Sequence, residues 1–393
     1  MNKIIYLSLA LFLFSGCEKE ADFTPAERGE LLESSLNGAL GVEEIKERIT
    51  ELDPETIVKH GVRFYRLTYR TEYQGKPINS AGLLVIPEGV TDARLLMYCH
   101  GTEIPSRLLG SENIAPSLYK GSTDTHRDVR NMGLGWASAG YVVFLPDYIG
   151  FGLTADKDHP YICFPELFKA NIDGLLASRS FLLSQTDLVY DQNLFITGWS
   201  QGGGACLSAH KYIQEQYGEE FRVVASSSLA GLSNVKWYVS QFIRSRGSNK
   251  LVLPILSWGV YAINKFSGLR RPTDQLYSYP VYDEMSALIV PSLNPERVFN
   301  HLFMAGVITG SDTEVMKVLE DNSFHQGWKP RGKVFLHHGD ADDLVPITVS
   351  TTVLEGLKNE GGDVTLYRYE GGKHDTELGN FIKNTLADFD LLK

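Results

Sequence analysis

Short apolar runs alternate with longer helical segments along most of this 393-residue chain, and this alternation constrains the fold more than any other feature. The runs contain few polar residues, as expected of parallel strands that are buried on both faces of a sheet. They cover residues 93–99, 141–145, 194–197, 222–226, 333–338 and 364–369. Two earlier strand-like runs, at 62–70 and 81–86, lie on either side of a Gly-Lys-Pro turn.

Helical segments lie between these runs, and together they predict an α/β fold. The predicted helices cover residues 132–139, 166–184, 204–217 and 346–359, and a last helix runs from Asp375 to the C-terminus. Such alternation implies a mostly parallel, doubly wound sheet with crossover helices on both faces. The alternation of strands and helices stops over residues 233–330. Helical stretches with scattered aromatic residues there predict a mostly helical lid above the C-terminal edge of the sheet.

The N-terminus has the pattern of an export signal. Lys3 precedes an apolar run over residues 4–14, which is too short for a membrane span of about 20 apolar residues. The segment Phe14-Ser15-Gly16-Cys17 resembles the lipobox of bacterial lipoproteins. This resemblance implies lipidation of Cys17, anchoring to a membrane surface and a place in the bacterial cell envelope, on the periplasmic face or the cell surface. The alternative is an ordinary signal peptide followed by an incidental cysteine.

These patterns divide the chain into five segments. They are a signal peptide (1–16), a lipid anchor with a tether and a lead-in helix (17–60), the first part of the core (61–232), the lid (233–330) and the second part of the core (331–393). Beyond Cys17 there are three cysteines, and the sequence leaves open whether they form one disulfide or none. The net charge of −11 argues against a nucleic-acid partner, because such proteins present a basic face to phosphates.

The segment Gly198-Trp199-Ser200-Gln201-Gly202-Gly203 places a serine between a strand and a helix. Glycine and serine are common in turns, so this spacing alone does not identify a nucleophile. A serine hydroxyl attacks efficiently only when a base takes its proton and an acidic group orients that base. The chain must therefore supply a histidine and an acid at other strand ends.

Both groups follow late strands. His374 lies between the last strand and the final helix, and Asp340, Asp342 and Asp343 lie in the loop after residue 338. The segment His338-Gly-Asp-Ala-Asp-Asp-Leu-Val-Pro resembles the HGxxDxxVP segment of the α/β-hydrolase superfamily. That register selects Asp342, with Asp343 as the closest rival. Asp340 is less favoured, because it directly follows the turn glycine.

Further motifs resemble bacterial relatives of the secretory lipases within the α/β-hydrolase superfamily. They are His100-Gly101-Thr102, residues 146–152 (PDYIGFG) and His159-Pro160-Tyr161. This resemblance implies hydrolysis of carboxylic esters, of small molecules or of lipids, with no metal and no organic cofactor. Ser200 would be the nucleophile, His374 the base and Asp342 the orienting acid. The backbone N–H groups of Gln201 and Thr102, or of Gly101 in place of Thr102, would bind the oxyanion.

Parts of the sequence are compatible with functions other than ester hydrolysis. A metallohydrolase would use the acid-rich loop with His337 and His338, but adjacent strand residues face opposite sides of a sheet, and no HxH or HExxH spacing occurs. A peptidase or amidase on the same fold is less favoured. Prolyl peptidases usually carry a large β-propeller or β-domain before the core, whereas only about 45 residues of the expected mature chain precede the first predicted strand here. Carbohydrate acetyl and feruloyl esters stay open as substrates. A non-catalytic surface protein on this scaffold would typically lack a triad member, and none is missing here.

Overall fold

A computed structural model describes residues 27–92, 94–110, 113–184, 188–245 and 249–392. Within this part of the chain a single nine-stranded sheet has the order β1-β2-β3-β5-β4-β6-β7-β8-β9. The strands are β1 (Leu31–Leu40), β2 (Val62–Tyr73), β3 (Lys76–Pro87), β4 (Arg94–Cys99), β5 (Tyr141–Pro146), β6 (Asn193–Trp199), β7 (Arg222–Leu229), β8 (Lys333–Gly339) and β9 (Val364–Tyr369).

The sheet is mixed but mostly parallel. The antiparallel strands β1, β2 and β3 form one end and meet β5, after which every neighbouring pair from β5 to β9 is parallel. In β4, Leu95 and Met97 belong to the hydrophobic core on one face, whereas Leu96 and Tyr98 belong to the core on the other. Burial on both faces explains why the central strands are continuous apolar runs. The predicted α/β fold is confirmed.

The helices cover both faces of the sheet and form the segment above its edge. They are α1 (Val42–Arg48), α2 (Pro54–Ile57), α3 (Ser106–Leu109), α4 (Leu134–Ser138), α5 (Phe164–Ser184), α6 (Gln201–Gln216), α7 (Val235–Phe242), α8 (Val252–Phe266), α9 (Glu284–Leu288), α10 (His301–Thr309), α11 (Thr313–Asp321), α12 (Thr348–Asn359) and α13 (Leu378–Asp390). A π-helical turn at Val129–Gly133 leads into α4, where the sequence predicted one regular helix from residue 132. Among the described residues, no helix has the length and apolar character needed to cross a membrane.

Residues 233–330, the predicted lid, contain α7 to α11. Their large aromatic side chains, among them Tyr238, Trp258 and Phe303, are buried and belong to the same hydrophobic core as one face of the sheet. The segment is therefore packed onto the sheet rather than detached from it. Its helices α8 and α9 contact each other and lie at the site described below.

The N-terminal segment differs from the prediction of a tether and a lead-in helix over residues 17–60. Residues 31–40 form β1, which pairs with β2 in antiparallel register from Leu31 opposite Tyr69 to Leu40 opposite Val62. The helix α1 begins only after this strand. The tether prediction is therefore wrong for β1, while the signal peptide (1–16) and Cys17 lie outside the described residues. The three further cysteines, Cys99, Cys163 and Cys206, are buried free thiols, so no disulfide joins them in the part of the chain that the structure describes.

Candidate active site

Ser200 occupies the sharp turn between β6 and α6. Its backbone angles are φ 58° and ψ −119°, a conformation that is costly for a residue with a side chain. The turn is held by neighbouring backbone. The Ser200 N–H donates to the Leu229 carbonyl (2.9 Å), and the Ser200 carbonyl accepts from the N–H groups of Gly203 (3.0 Å) and Leu232 (3.1 Å). Strain of this kind, fixed by the surrounding structure, is typical of functional residues.

The two glycines around Ser200 are required by close backbone contacts. A Cβ atom on Gly202 would lie 2.0 Å from the carbonyl oxygen of Cys99, and one on Gly198 would lie 2.2 Å from the carbonyl oxygen of Gly202. Both are far inside van der Waals contact. The start of α6 thus packs directly against the end of β4, and only glycine fits at these two positions.

The structure brings Ser200, His374 and Asp342 into one chain of hydrogen bonds. The Oγ atom of Ser200 lies 2.9 Å from Nε2 of His374, and Nδ1 of His374 lies 2.8 Å from Oδ2 of Asp342. An ionised carboxylate only accepts hydrogen bonds, so Nδ1 carries the proton and Nε2 accepts the serine proton. The Trp199 indole N–H donates to the carbonyl of His374 (3.0 Å) and fixes its loop. Ser200 itself is 8% exposed.

The Asp342 carboxylate is buried but well supplied with donors. Its Oδ1 atom accepts from the backbone N–H groups of Leu344 and Val345, both at 2.9 Å, and its Oδ2 also lies 3.3 Å from Nε2 of His338. Burial alone would raise the pKa of Asp342, but the hydrogen bonds from His338, His374 and Val345 hold it well below its usual range. Asp342 is therefore ionised at neutral pH and faces His374 as a negative charge.

The two rival aspartates point elsewhere. Asp340 accepts from Nε of Arg368 (3.0 Å) and from the Gly371 N–H (2.7 Å), and Asp343 accepts from the Asn249 side chain (3.2 Å). Of the three aspartates in this described loop, only Asp342 contacts His374.

Thr102 and Gln201, the predicted oxyanion residues, both lie near Ser200. Thr102 lines the same cavity as Ser200, and Gln201 is the first residue of α6. Among the described residues, neither backbone N–H has a hydrogen-bond acceptor. By contrast, the N–H of Gly101 donates to the Asp128 carboxylate at 3.1 Å. The Gly101 N–H is therefore engaged, whereas the Thr102 N–H is available to a bound group.

An apolar cavity of about 410 Å³ opens beside Ser200. Half of its lining comes from α8, α9 and the residues flanking them. The lining residues are Thr102, Ile104, Trp199, Ser200, Leu251, Pro254, Ile255, Trp258, Leu288, Ile289, Leu344 and His374. No Asp, Glu, Lys or Arg side chain is among these described lining residues. The cavity volume falls in the range of small-molecule sites and suits an uncharged, apolar group.

The two adjacent histidines of β8 face opposite ways. Nδ1 of His337 lies 2.8 Å from the hydroxyl of Tyr369, whereas His338 points toward Asp342 and Val345. In the part of the chain that the structure describes, no group of three or more His, Cys, Asp or Glu side chains is placed to hold a metal ion. The sequence indicated no role for His338 beside Asp342: this residue begins the HGxxDxxVP segment and otherwise entered only the metallohydrolase alternative.

Three further residues near the site were also missed. They are His159, Tyr161 and Glu284, which contact Gln201, Thr102 and His159 respectively. The motif His159-Pro160-Tyr161 contributes to the family resemblance, which assigns it no catalytic role. Glu284 had no signal at all, because a single glutamate in a helical segment is indistinguishable from a surface residue.

No protein-family model and no curated protein matches the sequence. Solved structures do match over nearly the whole chain. A putative hydrolase of Legionella pneumophila is 18% identical, with a TM-score of 0.79, and the match covers 92% of this chain and 98% of that one. The rice cell wall degrading esterase LipA of Xanthomonas oryzae is 21% identical, with a TM-score of 0.72 and coverage of 93% and 97%.

Candida antarctica lipase A is a more distant match. It is 16% identical, with a TM-score of 0.61, and the match covers 88% of this chain and 78% of that one. At such low identities the likeness concerns the fold alone. Together with the strand order and the mostly parallel sheet, these matches show that the chain has the α/β-hydrolase fold.

Proposed function

We propose that this protein is a serine hydrolase that cleaves carboxylic esters, as an esterase or lipase. The observation that carries the proposal is the hydrogen-bonded chain from Ser200 through His374 to Asp342, which opens into an uncharged apolar cavity. Two of the comparison structures are named an esterase and a lipase, which supports the proposal of an ester hydrolase. The proposed reaction needs no metal and no organic cofactor.

The first half of the reaction forms an acyl-enzyme. Oγ of Ser200 attacks the ester carbonyl while Nε2 of His374 takes the serine proton, and the negative charge of Asp342 stabilises the resulting imidazolium. The backbone N–H groups of Thr102 and Gln201 donate to the oxyanion of the tetrahedral intermediate. When this intermediate collapses, the C–O bond to the alcohol breaks and His374 returns the proton to the leaving alkoxide.

Water completes the cycle in the second half. His374 takes a proton from the water as its oxygen attacks the acyl carbonyl, and then gives that proton back to Oγ of Ser200 as the acid leaves. The apolar cavity would hold the acyl chain or the apolar part of the alcohol, which favours neutral esters over charged peptide substrates.

Ser200→Ala tests the proposal directly. With protein lacking residues 1–17, we expect hydrolysis of p-nitrophenyl acetate and butyrate but not of aminoacyl p-nitroanilides. Ser200→Ala should lower kcat by up to about 10⁶-fold, and a fluorophosphonate probe should label the native protein but not the variant. Near-normal turnover in Ser200→Ala would reject the mechanism, and preferential cleavage of the anilides would favour a peptidase. An unreactive native serine would favour a non-catalytic role.

Export and lipid anchoring remain a separate proposal, supported by the pattern of residues 1–17. We propose that Cys17 carries the lipid and attaches the enzyme to a membrane of the bacterial cell envelope. In cells that express the full chain, Cys17→Ser should move the protein from the membrane fraction to the soluble fraction. A membrane-bound Cys17→Ser variant would argue against this anchor.

A further inference from the structure

A buried carboxylate of the lid contacts the core next to the candidate active site. Glu284 is the first residue of α9, and its side chain is 0% exposed. Its Oε1 atom accepts from the backbone N–H of His159 (2.7 Å) and from the indole N–H of Trp258 (3.1 Å), while Oε2 forms an ion pair with Arg107. A buried carboxyl group needs hydrogen-bond or ion-pair partners, and both oxygens of Glu284 have them, on three separate segments.

One set of contacts leads from Glu284 to Gln201. The His159 ring donates through Nδ1 to the Ile149 carbonyl (2.7 Å), which leaves Nε2 free to accept from the side-chain amide of Gln201 (2.7 Å). Burial lowers the pKa of His159 to about 3, so the ring is neutral and keeps this arrangement at neutral pH. Glu284 holds the backbone of His159, and the ring of His159 holds the side chain of Gln201.

A second set of contacts leads to Thr102. The Trp258 indole, which donates to Glu284, stacks on the ring of Tyr161 with 4.0 Å between ring centroids and 2° between planes. The Tyr161 hydroxyl lies 3.0 Å from Oγ1 of Thr102. Glu284 thus contacts both His159 and Trp258. His159 contacts Gln201, and Trp258 stacks on Tyr161, which contacts Thr102.

We propose that Glu284 is a positioning residue for ester hydrolysis, which fixes the two oxyanion-binding residues through His159 and through Trp258 with Tyr161. The inference rests on the proposed function. It adds that the docked lid is part of the catalytic machinery, because a lid carboxylate sets the orientation of the groups that bind the transition state. The effect should fall on kcat and on transition-state binding more than on KM, since Glu284, His159 and Tyr161 are not among the described residues that line the cavity.

The charges around Glu284 make a conservative test feasible. Arg107 also pairs with Asp158 (3.2 Å), and Asp158 in turn pairs with Lys265 and accepts from the Tyr261 hydroxyl (2.9 Å). In Glu284→Gln, Arg107 keeps Asp158 as its partner, and the neutral amide oxygen can replace Oε1 but is a weaker acceptor for the N–H groups of His159 and Trp258. The variant therefore loosens the contact without leaving an isolated buried charge.

Glu284→Gln should lower kcat by about 10-fold with KM changed by less than about 3-fold, a smaller loss than the 10²–10³-fold cost of deleting an oxyanion donor. The affinity for butylboronic acid, which forms a tetrahedral adduct on the nucleophilic serine, should fall by the same factor as kcat/KM. The matched control is Glu320→Gln, which breaks the ion pair with Lys236 (2.9 Å) elsewhere in the lid. The control should keep wild-type kcat and boronate affinity.

Tyr161→Phe provides an independent variant in case Glu284→Gln folds poorly. It removes only the hydroxyl that contacts Thr102 and keeps the stacking on Trp258, and it should also lower kcat rather than raise KM. The double variant should lose less than the product of the two single effects, because both act through Thr102. Unchanged kcat and boronate affinity in both single variants, or effects that simply multiply, would overturn the inference. If Ser200→Ala kept its activity, the proposed function would fail instead.

Discussion

Nε2 of His338 lies 3.3 Å from Oδ2 of Asp342, the same oxygen that accepts from His374. It also lies 2.7 Å from the Val345 carbonyl, so the proton of this ring is on Nε2. The Nδ1 atom is then the acceptor for the hydroxyl of Ser350 at 2.7 Å. His338 therefore fixes the Asp342 loop through the Val345 carbonyl, and it supplies a second donor to the Oδ2 atom that accepts from His374.

Replacing His338 with Leu should lower both stability and turnover. The substitution leaves the Val345 carbonyl and the Ser350 hydroxyl without partners, at a cost of about 1–3 kcal/mol for a buried polar group. It also frees Asp342 to move, so kcat should fall. Urea unfolding and kcat measured together check this, with Ser350→Ala as the control that affects only stability. Equal losses of kcat in both variants would show that His338 acts only through packing.

The three aspartates of the loop after β8 should differ sharply when each is changed to Asn. Asp342→Asn removes the charge that fixes the His374 tautomer, and an equivalent change in a well-known serine protease lowers kcat by about 10⁴-fold. Asp340→Asn and Asp343→Asn alter contacts to Arg368 and Asn249, away from His374. Their kcat on p-nitrophenyl butyrate should stay within a few-fold of wild type. A larger loss in Asp343→Asn than in Asp342→Asn would move the acid by one residue.

The strands that were predicted well are those buried on both faces, where apolar runs are continuous. The edge strand β1 was missed because its sequence, LLESSLNGAL, has polar residues at exposed positions and no regular alternation. The acid, base and nucleophile could be named because each follows a strand within a recognisable motif. The contacts of Glu284 could not be predicted, because Arg107 and His159 are 177 and 125 positions away in the chain. Only the folded lid brings them together.

Gly202→Ala should disrupt the turn that carries Ser200. The added methyl group would lie 2.0 Å from the carbonyl oxygen of Cys99 and 2.5 Å from that of His100. Both atoms belong to the backbone at and just beyond the end of β4, which cannot shift without disrupting the sheet. Overpacking of this kind costs about 1–3 kcal/mol or more. Gly218→Ala, just beyond the same helix, is the control, because its nearest contact would be an ordinary 3.6 Å. Thermal unfolding and fluorophosphonate labelling should show loss in the first variant only.

The apolar cavity predicts a preference for longer acyl chains. Each buried CH₂ is worth about 0.8 kcal/mol, so kcat/KM on p-nitrophenyl esters should rise about fourfold per CH₂ from acetate until the cavity is full. Ile289 lines the cavity and is 60% exposed, so a substitution there tests whether long acyl chains extend past this residue. Ile289→Asp should reduce hydrolysis of long esters more than that of acetate. Leu302→Asp, on another exposed lid residue (71%) that is not among the described cavity-lining residues, should not change the profile.

The pH dependence of stability should carry a signature of Glu284. Burial raises the pKa of this carboxyl to about 7, with Asp158 adding to the shift and Arg107 opposing it. A glutamate in the unfolded chain titrates near 4.3, so the folded state binds the proton more tightly. The stability from this group is therefore fully present below about pH 4 and is lost as the pH rises through 7.

Glu284→Gln removes this titration. The unfolding free energy of the variant minus that of the wild type should therefore increase between pH 4 and pH 7, by an amount on the order of 3 kcal/mol at most. Urea unfolding of both proteins at several pH values measures this difference in unfolding free energy. The contributions of the other titrating groups are the same in both proteins and cancel in the difference. Glu320→Gln, whose parent carboxyl has a lowered pKa beside Lys236, should show no such rise in this window. A difference that is flat with pH would mean that Glu284 stays ionised in the folded protein.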